Sequence, residues 1–305
     1  MIHNNKLAAE SIDQIEKIGG RHPGLKRAHA RGKTYEAIFT PSGRAAGLTS
    51  APHLLKGETR AVVRFSNSST NPFHPDWLTP PKGMAVQFQL PGGGITNLVC
   101  TTIPVFFART PEAFNDIMKA AVSVKELKPD IAAFAHIIKD YPESRSFYSM
   151  IKEVRMPASY GMAQYYSIHA FYLVSEEGRK RAVKFMWKPE AGIAEYTKTE
   201  TLKDRPHYLD EEMDERLSAG PVSFSLAIQI GGEDDPVDDP TVAWPEDSQQ
   251  IIGGTLTITG EASGNDELLF DPTIMTEGIA LTPDQILQFR HAAYLESYRR
   301  RHSEK

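Results

Sequence analysis

The sequence predicts an α+β protein, an eight-stranded antiparallel β-barrel with a helical insertion and helices flanking it at both ends. Three observations carry this. Strand-like runs fall into two sets of four, three proline-opened helical segments separate the sets, and helical periodicity occupies both termini. Antiparallel strands in this number close most readily into a barrel, because closure removes exposed edges. No stretch reads as a linker, so residues 1–305 are taken as one unit. It comprises an N-terminal helix or arm over 1–20, a barrel over 21–260 with its insertion at 111–160, and a C-terminal segment over 261–305.

Composition bounds the partners. Hydrophobic content of 40% and charged content of 24% are those of a globular protein with a substantial core. A net charge of -5 gives no reason to expect nucleic acid or an anionic membrane. The longest apolar runs, Val62–Val63 and Val105–Ala108, are far too short to span a bilayer. The N-terminus lacks the unbroken apolar run of a secretory signal, which makes the cytoplasm the expected compartment. A single cysteine, Cys100, excludes an internal disulfide and reads as a small core residue.

Taken in order, the first helix places Leu7, Ile12, Ile15 and Ile18 on one side. A cationic, glycine-bounded loop over 19–32 follows. Strands are predicted at Thr34–Thr40, Arg60–Ser66, Met84–Leu90 and Thr96–Thr101, with a hairpin turn at Gly92–Gly94. Helices follow from Pro111, Pro129 and Pro142. Strands resume at Tyr165–Val174 and Arg181–Trp187, then a charged helix at Arg205–Ala219, then strands at Val222–Ile230 and Ile251–Gly260. The acidic stretch 231–247 between the last two has no calcium-loop spacing and reads as solvated. In the final helix, 282–302, Thr282 is the expected N-cap and Pro283 the first helical residue.

Four pieces could carry chemistry. Arg290 and Tyr294 are four apart on the last helix, so they share a face. A guanidinium against a phenol oxygen favours the phenolate, an anionic ligand for ferric iron; surface packing is the plain alternative. His29, just before a strand, is a capping or surface residue or a functional one. Arg64 and Ser66 alternate with apolar neighbours and are expected to face the barrel interior, where a buried arginine needs a carboxylate or a cofactor's anion. Phe106, Phe107 and Phe114 read as core. The histidines at 22, 53, 74, 136, 207, 291 and 302 show no metal-ligand spacing and are expected to be mostly exposed.

In order and at compatible separations, these pieces resemble the catalase superfamily, and within it the short catalase-related haem peroxidases. The likeness runs from about Arg21 to His302. It rests on His29 within H-A-x-G, on Arg64-Phe65-Ser66, on Pro104-Val105-Phe106-Phe107, on His169 in the fifth strand, on the F-D-P at 270–272, and on Arg290-x-x-x-Tyr294 with Arg301. The resemblance implies haem b (iron protoporphyrin IX) with Tyr294 as the metal ligand and Arg290 at its oxygen. His29 and Ser66 become the distal acid–base pair, Phe114 stacks over the macrocycle, and Arg64 and Arg301 face propionates.

Two positions depart from the catalase pattern. Thr102 stands where catalases carry asparagine, which implies weak release of dioxygen from a second peroxide. Lys26 stands where they carry arginine, a less specific propionate partner. The chain also stops soon after the last helix, so the family's wrapping segment and helical domain are expected to be absent, with a more open pocket and a smaller assembly, a homodimer. The implied activity is reduction of hydrogen peroxide or organic hydroperoxides by a small organic electron donor. The rival readings are a catalase-like enzyme that rearranges fatty-acid hydroperoxides, a non-catalytic haem carrier or sensor, and an empty lipocalin-like binding barrel.

Overall fold

The computed structural model describes residues 2–126, 130–196, 202–262 and 267–304. Helix α1 (Ile2–Gly19) leads to β1 (Gly32–Pro41), the short α2 (Pro52–Leu55), β2 (Thr59–Asn67), β3 (Lys82–Gln89) and β4 (Ile95–Thr101). The helical insertion comprises α3 (Pro111–Lys125), α4 (Ile131–Asp140) and α5 (Ser144–Ile151). After it come β5 (Met156–Pro157), β6 (Tyr165–Tyr166), β7 (Phe171–Val174), β8 (Lys180–Pro189) and β9 (Glu195–Tyr196). The chain continues through α6 (Tyr208–Ala219), β10 (Val222–Ile230), β11 (Gln250–Glu261), β12 (Ile279–Leu281) and α7 (Gln285–Ser303).

The main sheet runs β10-β11-β1-β2-β3-β4-β6-β8-β7-β12, and β10 also pairs with β8. That extra pairing, Phe224↔Pro189 through Ile230↔Val183, closes eight antiparallel strands into the expected barrel. The predicted fifth strand is broken in two: β6 and β7 both lie along β8, separated by Ser167–Ala170. Ser167 causes the break, since its hydroxyl donates to the His169 carbonyl and accepts from Phe185 N–H, which competes with the ladder. The expected hairpin at Gly92–Gly94 forms, with Gly92 and Gly93 at φ 89° and 92°. Pro129 lies outside the described residues; Asp130 caps α4 through Ala133 N–H.

Inward side chains fill the barrel. Phe39, Phe65, Phe88, Trp187 and Phe224 are buried and meet ring to ring at centroid distances of 5.3–6.5 Å. Because Val63 and Phe65 belong to this core, Arg64 and Ser66 point the other way, onto the outer face of the wall. The expectation that they face the interior is therefore corrected. The alternation was sound, but the apolar partners had the stronger claim on the core. The histidines correct a second expectation: of the seven expected to be mostly exposed only His136 and His291 are, and His53 is 3% exposed, packed 4.6 Å from the Phe88 ring.

Outside the wall, α1 and α7 pack together through Leu7, Ala8 and Phe289. Asp13 and Glu16 of α1 bind Arg300 of α7 at 2.7 and 3.1 Å. The cap of α7 is Asp284, whose carboxylate accepts from Leu287 N–H at 3.0 Å. Thr282, the expected cap, instead donates to the Ala170 carbonyl, and Pro283 precedes the cap rather than opening the helix. Among the described residues no helix is long and apolar enough to cross a membrane.

Candidate functional site

The outer face of β1–β3 forms one side of the site. Ladder register sets Ser66 opposite Gly32 on one flank and opposite Gly83 on the other. His29 lies just before β1 with φ 52°, a left-handed conformation uncommon for a residue with a side chain. This turn brings its Nδ1 to 3.0 Å from Ser66 Oγ. The flanking glycines explain why the arrangement fits. A Cβ at Gly83 would lie 2.7 Å from Ser66 Oγ and 2.8 Å from His29 Nδ1. One at Gly32, the glycine of the H-A-x-G stretch, would lie 2.4 Å from the Phe65 carbonyl and 2.7 Å from Arg64 Cζ. Arg64 Nη2 in turn donates to the His29 carbonyl at 3.0 Å, holding the unusual turn.

The half-buried His29 is kept neutral. Desolvation first, then the charges of Arg64, Arg290 and Lys82, push its imidazole down to about 3. Its ring therefore stays unprotonated across the physiological range, with a free nitrogen that can accept a proton briefly and give it up readily.

Helix α7 forms the facing side. Arg290 Nη2 donates to Tyr294 Oη at 2.6 Å, and its guanidinium lies 5.2 Å from the centroid of the same ring. The pair is half-buried, not splayed on the surface. Beneath the start of α7, Asp284 joins the buried His169 Nδ1 at 2.7 Å. Burial pulls the His169 imidazole down, and Asp284 opposes that shift. Two turns beyond Tyr294, Arg301 donates to the carbonyls of Glu267 and Leu268 at 3.0 and 3.5 Å. Lys26 donates to the same Leu268 carbonyl at 2.8 Å, so the two expected cations converge on one stretch of backbone.

Phe114, half-buried on α3, stacks on Phe106 and Phe107 at 6.0 and 5.5 Å and reaches Phe289 of α7 at 6.5 Å. These rings tie α3 to α7. Thr102 sits at the end of β4, where its hydroxyl accepts from Lys82 N–H at 3.1 Å and its own N–H donates to the Lys82 carbonyl. Its oxygen is tied to the wall.

Two contributors escaped the sequence reading. Asp284 registers in sequence only as an acid near a helix start, yet one carboxylate both caps α7 and holds His169. Lys82 is completely buried, and burial pulls its ammonium down to about 7 although Asp76 opposes this. Its signal was present: Lys82 shares the inward register of Met84, Val86 and Phe88, an odd place for a lysine.

Comparison with known proteins gives the family. The family model described as Catalase matches residues 11–305. The catalase-related peroxidase of Mycolicibacterium paratuberculosis is 34% identical over 300 residues, covering 96% of this chain and 94% of the relative. That of Synechococcus elongatus is 31% identical, covering 95% and 87%. The solved structure of a fungal catalase superposes with a TM-score of 0.81 at 21% identity, over 92% of this chain and 60% of that one. A wall and a helix facing each other on a catalase fold, in a chain matched over nearly all its length, place this protein in the catalase family, alongside its catalase-related peroxidases.

Proposed function

We propose that this protein is a haem-dependent peroxidase that reduces hydrogen peroxide or organic hydroperoxides at the expense of a small organic electron donor. The observation that carries the reading is the 2.6 Å Arg290–Tyr294 bond on a helix facing the His29–Ser66 pair. The residues fit haem b. A phenol oxygen that accepts from a guanidinium is the donor chemistry of a catalase-type iron ligand. Glycines 32 and 83 keep the opposite wall free of side chains beside His29. Arg64, Arg301 and Lys26 supply cations for two propionates, and Phe114 an aromatic surface for the ring.

When bound, haem supplies the electrons that cleave the peroxide bond. The protein's share is proton handling. With Nδ1–H donated to Ser66 Oγ, His29 presents an unprotonated Nε2. That nitrogen accepts the proton from one peroxide oxygen and returns it to the other, so the leaving group departs as water or an alcohol instead of an anion. The low basicity of His29 favours the return of the proton. Thr102, with its hydroxyl engaged on β3, is poorly placed to orient a second peroxide for oxidation, which favours an organic donor in the reducing half of the cycle.

The test is a spectrum and a single substitution. Protein from haem-replete cells is expected to show the absorption of a tyrosinate-bound ferric haem and donor-dependent peroxide consumption with little dioxygen. His29→Gln is expected to keep the spectrum while losing about 10²–10⁴-fold in peroxide reduction. Colourless protein, a different axial ligand, or an unaffected His29→Gln enzyme would overturn the reading.

A further inference from the structure

Behind the wall that bears His29 and Ser66 lies a second polar cluster that the chemistry above leaves unused. The fully buried Lys82 donates through Nζ to Asn67 Oδ1 at 2.7 Å, to the Asp76 carbonyl at 2.8 Å and to the Thr79 carbonyl. Three acceptors match the three hydrogens of an ammonium group. Asp76, also fully buried, accepts from Asn67 Nδ2 at 2.9 Å and from Leu209 N–H of α6 at 3.0 Å. Arg31 lies 3.5 Å from Asp76 and binds Asp210 of α6 at 2.5 Å.

The members of this cluster are adjacent in sequence to the residues that hold the distal pair. Asn67 follows Ser66, Lys82 precedes Gly83, and Arg31 lies two residues after His29 and one before Gly32. Asn67 N–H donates to the Arg31 carbonyl at 3.2 Å, and Lys82 lies directly opposite Asn67 in the ladder. Each of the three backbone segments that must hold still for His29 to meet Ser66 therefore sends one side chain into the network. A buried charged cluster stabilises a fold no better than apolar packing of similar volume, and its best-attested use is to fix a register. The register here is Ser66 against Gly83.

We propose that Lys82, with Asn67, Asp76 and Arg31, is a positioning network that sets the His29–Ser66 contact from behind the wall and connects it to α6. The proposal rests on the reading of His29 as the proton carrier. It assigns Lys82 no contact with substrate or haem.

The test compares Lys82→Met, Lys82→Arg and His29→Gln by two measurements. Histidine NMR of the haem-free protein follows the His29 titration, identified by its disappearance in His29→Gln. The charges acting on that ring are Arg64 and Arg290 and, from behind the wall, Lys82. Lys82→Met is expected to move the titration upward toward an ordinary histidine, and Lys82→Arg to restore most of the difference. In haem-loaded protein, cyanide binding delivers a proton to the distal base. Its affinity is expected to fall about 10–100-fold in Lys82→Met, because the misplaced ring can no longer receive that proton despite its higher basicity, and to recover in Lys82→Arg. Should Lys82→Met fail to fold, Arg31→Gln at the edge of the network is expected to shift both readouts in the same direction. Wild-type titration and cyanide affinity in a folded Lys82→Met or Arg31→Gln protein would overturn the network. Unchanged peroxide reduction in His29→Gln would overturn instead the functional reading beneath it, while the NMR titration in Arg31→Gln, whose charge is not among those acting on the ring, still decides whether the network positions it.

Discussion

The two sides of the site are built by different means. The His29 side takes its geometry from a three-strand ladder, where Ser66 is fixed by pairing with both Gly32 and Gly83. The Tyr294 side takes its geometry from one helix, held by a cap at Asp284 and by ion pairs between Arg300 and α1. A ladder leaves no slack: an added atom at one position presses on its neighbours across the pleat. A helix end tolerates more, because each tether is separate and its loss stays local. On the proposed reading, a proton carrier that must be placed to a fraction of an ångström sits on the rigid side, and a ligand bond that can absorb small shifts sits on the other.

That contrast can be broken experimentally. The largest effect is expected from Gly83→Ala, whose methyl would overlap both His29 and Ser66. Displacing the ring by about an ångström is expected to cost about 100-fold or more in peroxide reduction with haem still bound, read by rapid mixing and absorption. On the helix side, Asp284→Ala removes a cap and leaves the buried His169 without its partner. Denaturant melts are expected to show a loss of about 2–3 kcal/mol, and Asp284→Asn, which can still cap, about half of that.

Acid tests the wall and the barrel core together. His29 and His53 are held down to about 3 and about 4 by burial, so the folded state binds fewer protons than the unfolded state below the ordinary histidine range. Stability is complete above about pH 6.5 and falls as pH drops toward those lowered values; the His53 contribution alone is about 2 kcal/mol between pH 7 and pH 5. His53→Phe is expected to flatten that slope in melts across the window. The smallest effect is expected from Arg300→Ala, which releases α7 from Asp13 and Glu16. A loss of about 1 kcal/mol in a denaturant melt, reduced further by salt, would mark the tether as the minor one.

The barrel was legible because eight strand-like runs fall into two sets of four, and closing them removes the exposed edges that an open sheet would leave. Arg64, Ser66 and His29 were legible as a group through the family pattern, but not the side of the sheet they occupy. Alternation gives two faces without naming the inner one, and that choice depends on aromatic partners such as Trp187 and Phe224 far along the chain. The break at Ser167 and the diversion of Thr282 from the cap were missed for a related reason. Both depend on side chains that find backbone partners in tertiary structure, at Phe185 and Ala170, which no local window contains. Lys82 precedes the predicted strand and was missed, and its cage draws on Asp76 and Thr79, in the loop before it.

Arg27, two residues before His29, is clasped by Glu16 and by Glu304, both at 2.6 Å. The second clasp joins positions 277 apart in sequence. During synthesis the ribosome must therefore finish α7 before the segment leading into His29 can be locked, whereas the barrel strands up to β4 can already have met. The contact between His29 and Ser66 can thus form with the first strands, while the clasp that anchors its leading segment to α7 closes last.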